Sequence, residues 1–551
     1  MLYNIKNYMN KIFLISVFIM LFVNAYSQEP KKNQSIDINS SYKPVLRNAV
    51  KINFNGSQLP ADTAKPALNY KIPSQNLFYA YSPISLKPLA LEQDTNLYLG
   101  NRKFLKVGYG NFSTPFVSAG LSLGDGKKSL LNITGNYISS KGNIVNQDYA
   151  QFKAKAAGSY FLPKNELYGG LEVNVDNYYL YGYDHKLFNF KKDSIKQEFQ
   201  NIALRLGYKN TAANASGINY NPTIELNIFT DKNKVNETDA IINLPFDKNI
   251  NENFTAKVEL KADITQYATR NILPTNTKIS NTIIQINPSV DYHDDVLKIH
   301  AGIIPAWNNK VYELMPDIYA EAQVKNKTFA VQAGWVGRLV KNSYRNLTTI
   351  NPYLSPVFVQ LNTKETEYYG GIKASIAKHF NFSAKAGLVR YKNLPFFIND
   401  TTTNDNKSFK ISNESAVNNF RIHGDVGYIN QDKFSLTAGI TFNGYANFTD
   451  NNRAWHTMPV EIKSSLRWWA FKTVLIKSDL YVFEGSNYLA KGNKAVSMNG
   501  GTDLSAGVEI KINKHFSVWG DANNILNSKY ERWHNYEVYG ANFMGGILLN
   551  F

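Results

Sequence analysis

The sequence predicts an all-β protein: a transmembrane antiparallel β-barrel of about 22 strands, roughly 20 to 24, preceded by a proline-rich segment. Three observations predict it. Aromatics make up 13% of the 551 residues, with 35 Tyr and 32 Phe, yet the mean hydropathy is only -0.33. Runs of roughly 9 to 14 residues alternate apolar with polar at the two-residue period of a strand. The chain also stops on such a run, NFMGGILLNF, with Phe543, Gly545, Ile547, Leu549 and Phe551 on one face and Met544, Gly546, Leu548 and Asn550 on the other. A helical membrane protein needs apolar runs of about 18 residues or more, and the sequence has none. A barrel meets lipid with only half of each strand and so keeps a polar average.

Taken in order, Lys6 and Lys11 precede the apolar run Ile12–Val23, and Ala25 and Ser27 follow it at signal-peptidase spacing. Residues 1–27 are therefore expected to be a signal peptide cleaved after Ser27, with Met9 as the better start. The run is too short to span a bilayer of about 30 Å as a helix. With no cysteine, thiol catalysis, Cys-rich zinc sites and disulfides are excluded. The net charge of +17 usually suggests nucleic acid. An exported chain rarely meets it, so lysines in solvated loops, lipid headgroups or an anionic cargo account for the charge, and no nucleic-acid partner is expected.

Residues 28–100 carry Pro30, Pro44, Pro60, Pro66, Pro73, Pro83 and Pro88. Proline removes ladder donors, so regular sheet is not expected there. VLRNAVKINF and NLFYAYSP are too apolar for a solvated tail, and the segment reads as an extended stretch that lies against something.

From 101 to 551 the alternation is uniform. Ala256, Val258, Leu260, Ala262 and Ile264 oppose Lys257, Glu259, Lys261, Asp263 and Thr265; DLSAGVEIKI, FRIHGDVGYI and TIELNIF repeat the scheme. A soluble sandwich would look the same strand by strand. Strand length, ring content, the leader and the terminal strand favour a barrel with a polar lumen and aromatic girdles, such as NYYLYGY (177–183) and Trp468, Trp469 and Phe471. Short turns fall at Gly124, Leu162, Thr211, Lys248, Tyr292, Lys325, Lys378, Asn430, Ala470 and Asn513. With both ends periplasmic, n strands need n/2 − 1 such turns, which gives about 22 strands.

No catalytic, cofactor or metal residues emerge. GDGKKS (124–129) lacks the first glycine of a phosphate-binding loop, because Leu121 stands there, and it lies between strands. The eight histidines show no ligand spacing. His423 and Asp425 are expected to share the lumen face, and Asp294 and Asp295 to lie in a turn. There is no Gly-x-Ser-x-Gly elbow. The chain is read as no enzyme; an outer-membrane enzyme with a dyad assembled from distant strands is the remaining alternative.

The stretch EIKINKHFSVWGDANNILNSKYERW, followed by YGANFMGGILLNF, resembles the final strands of TonB-dependent receptors. That family carries an Asn-Leu-Phe-Asn-x-x-Tyr-like run, met here by Asn524, Ile525, Leu526, Asn527 and Tyr530. Gly540 matches the glycine of a following Gly-Arg pair, while Ala541 replaces the arginine. The resemblance implies an outer-membrane location in a Gram-negative envelope and a transport-related role. It also implies a last strand that pairs back near Lys103–Tyr109, with Phe543, Ile547, Leu549 and Phe551 as the barrel-closing face and assembly signal. Expected partners are outer-membrane lipids, the assembly machinery, and a plug, lipoprotein or TonB-type protein. The family's N-terminal plug is larger than residues 28–100 can hold, and QSIDINS (34–40) is only a stretched match to its coupling box. Known barrels of this size are plugged. Three readings follow: a plug-less barrel acting in transport or as a subunit of an envelope complex, a TonB-dependent importer with residues 28–100 as a reduced plug, or a passive porin.

Overall fold

In the computed structural model the alternating runs pair into one closed sheet. The structure describes residues 103–551 apart from 213, 215, 270–276, 325–328, 377–378 and 431–432. The signal peptide and the proline-rich segment lie outside the described residues. Twenty-two antiparallel strands follow one another around the cylinder, from Phe104–Gly110 to Asn542–Asn550, and the last pairs with the first. Closure leaves no row of unpaired backbone groups, the condition for strands to cross lipid.

Eight of the ten short turns read from the sequence join neighbouring strands at one end, the periplasmic end of such a barrel; those at Lys325 and Lys378 lie outside the described residues, between strands that pair with each other. The GDGKK turn is a hairpin: Asp125 Oδ1 accepts the N–H groups of Lys127, Lys128 and Ser129 at 2.9, 2.7 and 3.1 Å. Those three donors hold the Asp125 carboxyl below its usual range. The turn around Thr211 adds a short strand, Ile218–Tyr220, which pairs with Val235–Asn249. At the opposite end the first hairpin turns within Asn111–Ser113, with Phe112 and Ser113 at φ 55 and 52°. Two left-handed residues in succession match the twist of the flanking strands.

Side chains sort as the alternation requires. Along Phe254–Thr269, Val258, Leu260 and Ile264 face outward and are exposed on the bare protein, where lipid covers them. Lys257 pairs with Asp291, and Glu259 accepts from Asn287 at 2.9 Å on the lumen side. Lumenal charges are cross-linked around the wall: Glu365 pairs with Arg338 and Arg421, and Glu367 with Arg421 and Lys385. His423 Nε2 and Asp425 Oδ2 meet there at 2.6 Å. The tyrosine run 177–183 divides where the strand Asn165–Tyr179 stops. Tyr179 stays on the wall with Lys192 Nζ 4.8 Å from its ring centre. Tyr181 and Tyr183 leave the wall and are buried, Tyr181 on rings from other loops and Tyr183 on His185 and Phe190 of its own loop. They therefore form no girdle.

Candidate functional site

The largest buried apolar cluster among the described residues lies at the mouth opposite the short turns, and loops build it together with strand ends such as Phe199, Phe229, Tyr267 and Phe409. Three of these loops follow the fifth, thirteenth and twenty-first strands, Asn165–Tyr179, Phe329–Val340 and Phe516–Asn523, and so leave the wall far apart around the cylinder. Their rings nevertheless touch. Tyr181 and Tyr353 have ring centroids 6.0 Å apart at 90°, Tyr181 and Tyr536 4.8 Å apart at 68°, and Tyr353 and Tyr536 stack at 3.4 Å and 23°. The loops that carry them must therefore cross the mouth to meet. Tyr353 and Tyr536 are 0% exposed and Tyr181 4%. Burial raises all three phenols above their ordinary pKa, so the triad is neutral at any physiological pH.

The loop between the thirteenth and fourteenth strands, residues 341–362, is the longest strap. Its short helix α1 (Tyr344–Ile350) starts at Ser343, whose Oγ accepts from the Asn346 N–H at 3.3 Å. A carboxylate from a strand five places back around the wall completes that start. Glu237, fully buried, accepts the N–H groups of Tyr344 and Arg345 at 2.8 and 3.1 Å and the Gln360 amide at 3.2 Å. Arg345 Nε donates to Asp239 at 2.9 Å, Lys341 pairs with Asp263 at 2.9 Å, and Asn362 Nδ2 donates to Asn281 at 2.6 Å. At mid-strap the Ser355 N–H donates to the Phe409 carbonyl at 2.9 Å and the Phe409 N–H to Tyr353 at 3.0 Å.

The loop of residues 524–541 faces it, and the residues that resemble the receptor motif hold it together. Asn524, at φ 46°, donates to the carbonyls of Ser528 and Tyr539, both at 2.9 Å, and accepts the Ser528 N–H at 2.9 Å. Asn527 Oδ1 accepts the Ala541 N–H at 2.9 Å, and a Cβ on Gly540 would lie 2.5 Å from that same oxygen. Tyr530 is buried and donates to Asp503 at 2.8 Å. Leu526 is exposed. Within the loop Tyr536 donates to the Lys407 carbonyl, and Trp533 packs against Phe397 and Phe409. Arg532 donates to the His456 carbonyl at 2.5 Å, and burial draws its guanidinium down to about 9.

Beside the triad a cavity of about 500 Å³ opens between five loops, with Tyr181, Tyr183, Asp184, Asp405, Glu531 and Glu537 in its wall. Among the described residues no group of His, Cys, Asp or Glu is arranged to hold a metal ion.

The terminal residues occupy the closing seam. Val107 faces Ile547 and Leu105 faces Leu549, and the Phe551 N–H donates to the Lys103 carbonyl at 2.9 Å. Phe543 and Phe551 point outward and are exposed, while Leu548 on the other face packs with Phe104, Phe116 and Trp519. The mouth triad was not foreseeable as a group, since its members lie 172 and more positions apart in three separate loops. The only hint was the density of tyrosine at 178–183.

A closed barrel of this size with an apolar outer face and a polar lumen defines a transmembrane protein of the Gram-negative outer membrane. Its fold is that of solved TonB-dependent receptors. The FrpB iron transporter from Neisseria meningitidis superposes with a TM-score of 0.65 at 10% identity, covering 82% of this chain and 81% of that one. The siderophore receptor PirA from Acinetobacter baumannii gives 0.63 at 9%, covering 82% and 80%. The copper transporter OprC gives 0.60 at 11%, again covering 82% and 80%. At these identities the likeness is one of fold. No protein-family model and no curated protein matches the sequence.

Proposed function

We propose that this barrel is a transport conduit of the outer membrane that rests closed, with its own loops sealing the extracellular mouth. The observation that carries the reading is the Tyr181–Tyr353–Tyr536 contact, which draws loops from distant parts of the wall across the opening. A passive porin keeps a water-filled lumen, and a mouth crossed by buried rings supports the closed reading over that one. Single-channel recording of the full-length protein in planar bilayers tests it. The intact protein is expected to conduct rarely, and Tyr536→Ala to raise the open fraction at least about tenfold, a change of about 1.4 kcal/mol. Equal, steady conductance from both would remove the reading.

A second reading, the importer with residues 28–100 as a reduced plug, draws support from charge. The lumen faces of Thr223–Asp231 and Val235–Asn249 carry Glu225 and Asp247 toward the end with the short turns. The N-terminal segment carries Lys31, Lys32, Lys43, Arg47, Lys51 and Lys65. A basic segment suits an acidic wall.

A further inference from the structure

The three tyrosines close the mouth from unequal mountings, and the inequality says which one moves. Tyr536 stands on a small hairpin, Glu531–Trp533 and Tyr536–Glu537, in a loop tied down along its length. Its hydroxyl holds Lys407, its base is fixed by Asn524 and Asn527, and a Cβ on Gly182 would lie 2.3 Å from its ring. Tyr181 follows directly on a barrel strand and donates to the Glu537 carbonyl at 2.8 Å, which binds these two loops to each other. Tyr353 is different. The strap that carries it is bonded at its two ends, through Lys341, Tyr344 and Arg345 and through Gln360 and Asn362, and all of those bonds reach the wall formed by strands between Thr223 and Asn308. Its middle meets the other side through the ring contacts and one pair of backbone hydrogen bonds at Phe409.

We propose that residues 341–362 are the moving leaf of the seal, pivoting on Glu237, Asp239 and Asn281, and that the loops of Tyr181 and Tyr536 are its fixed frame. Opening breaks the Tyr353–Tyr536 stack, the Tyr181–Tyr353 edge contact and the Phe409 pair, and leaves the polar hinge intact. The leaf swings as one body because the Glu237 bonds to Tyr344, Arg345 and Gln360 clamp its outgoing and returning limbs together. This rests on the closed-conduit reading of the mouth.

The absence of cysteine makes site-directed spin labelling direct. Labels at Thr349 on the leaf and Lys529 on the frame, with a control pair at Lys186 and Lys529, are measured by pulsed electron resonance on the full-length protein in lipid nanodiscs. All three positions are exposed. Tyr353→Ala is expected to add a second, longer Thr349–Lys529 distance in at least about a tenth of molecules and to leave the control pair unchanged. Tyr353→Leu, which keeps a bulky apolar side chain and loses the stacking, is expected to do the same where the alanine variant fails to assemble. A control pair that broadens while Thr349 keeps its distance overturns the assignment of leaf and frame. Unchanged distances for both pairs overturn the leaf itself. If the leaf moves but conductance does not rise, the conduit reading fails and the leaf stands.

Discussion

His456 shows how one residue reports on the mouth. Its ring is fully buried, Nδ1–H donates to the Phe397 carbonyl at 2.7 Å, and Nε2 accepts the His534 N–H at 3.3 Å. A neutral imidazole satisfies both bonds; a proton on Nε2 destroys the second. Burial, opposed by the Phe397 bond, pushes its pKa down to about 3 from 6.5. The packed loops therefore refuse a proton that an opened loop accepts, so their stability is complete above about pH 6.5 and falls as pH drops from there toward 3. The slope approaches about 1.4 kcal/mol per pH unit for this group. Amide exchange at Trp533 and Tyr536, followed from pH 7 to pH 5 and corrected for intrinsic rate, is expected to accelerate in the parent and to lose that dependence in His456→Gln. An unchanged corrected rate in the parent would refute the argument. None of this was legible in the sequence, where His456 is one histidine among eight with no ligand spacing. What defines it is a carbonyl 59 positions away and an amide 78 positions away.

At the scale of elements the sequence is far more readable, and the reason is period. A strand that faces lipid on one side and a polar lumen on the other has to alternate, so Ala256–Ile264 and the terminal run could be sorted into faces without any partner in view. Turns were readable because short connections need particular residues, as Asp125 and Gly126 show. Helix α1 was not, because its limits are set by Ser343 together with Glu237 from a strand more than 100 positions earlier. The closing seam was half readable. Its strand was evident, but the close fit around its glycines was not: a Cβ on Gly546 would lie 1.9 Å from the Val107 carbonyl oxygen, and one on Gly108 2.4 Å from the Trp519 ring. Gly546→Val therefore cannot enter the ladder without parting Phe104–Gly110 from Asn542–Asn550. Heat-modifiable mobility of outer-membrane fractions is expected to show the folded band reduced at least about tenfold for this variant, a cost of 1 to 3 kcal/mol or more from overpacking, and nearly unchanged for Gly135→Ala, whose added Cβ meets nothing within 4 Å. Equal folded bands would show that the seam tolerates strain.

The whole molecule poses the question of how a cylinder of 22 strands avoids leaking. The mouth offers one closure, and the reduced-plug reading of residues 28–100, which lie outside the described residues, proposes a second. The barrel begins at Lys103, whose carbonyl accepts the N–H of the terminal Phe551, at the end that carries the short turns. Two closures in series give a distinctive arithmetic. If both block the same path, removing either leaves the other in place, and conductance rises fully only when both are gone. Deleting residues 28–100 is then expected to leave the basal current low, and Tyr536→Ala to raise its open fraction with the segment limiting the current through each opening. The combination is expected to exceed the sum of the two single effects several-fold, the non-additivity of elements that share one pathway. Additive effects would mean that the segment lies outside the conducting path. The segment's role would then be sought among proteins that co-purify with the barrel in mild detergent, as for a subunit of an envelope complex. If the basic segment is held in the lumen by carboxylates there, as the reduced-plug reading proposes, raising the salt concentration is expected to mimic the deletion only in the Tyr536→Ala background, where the mouth no longer masks the lower closure.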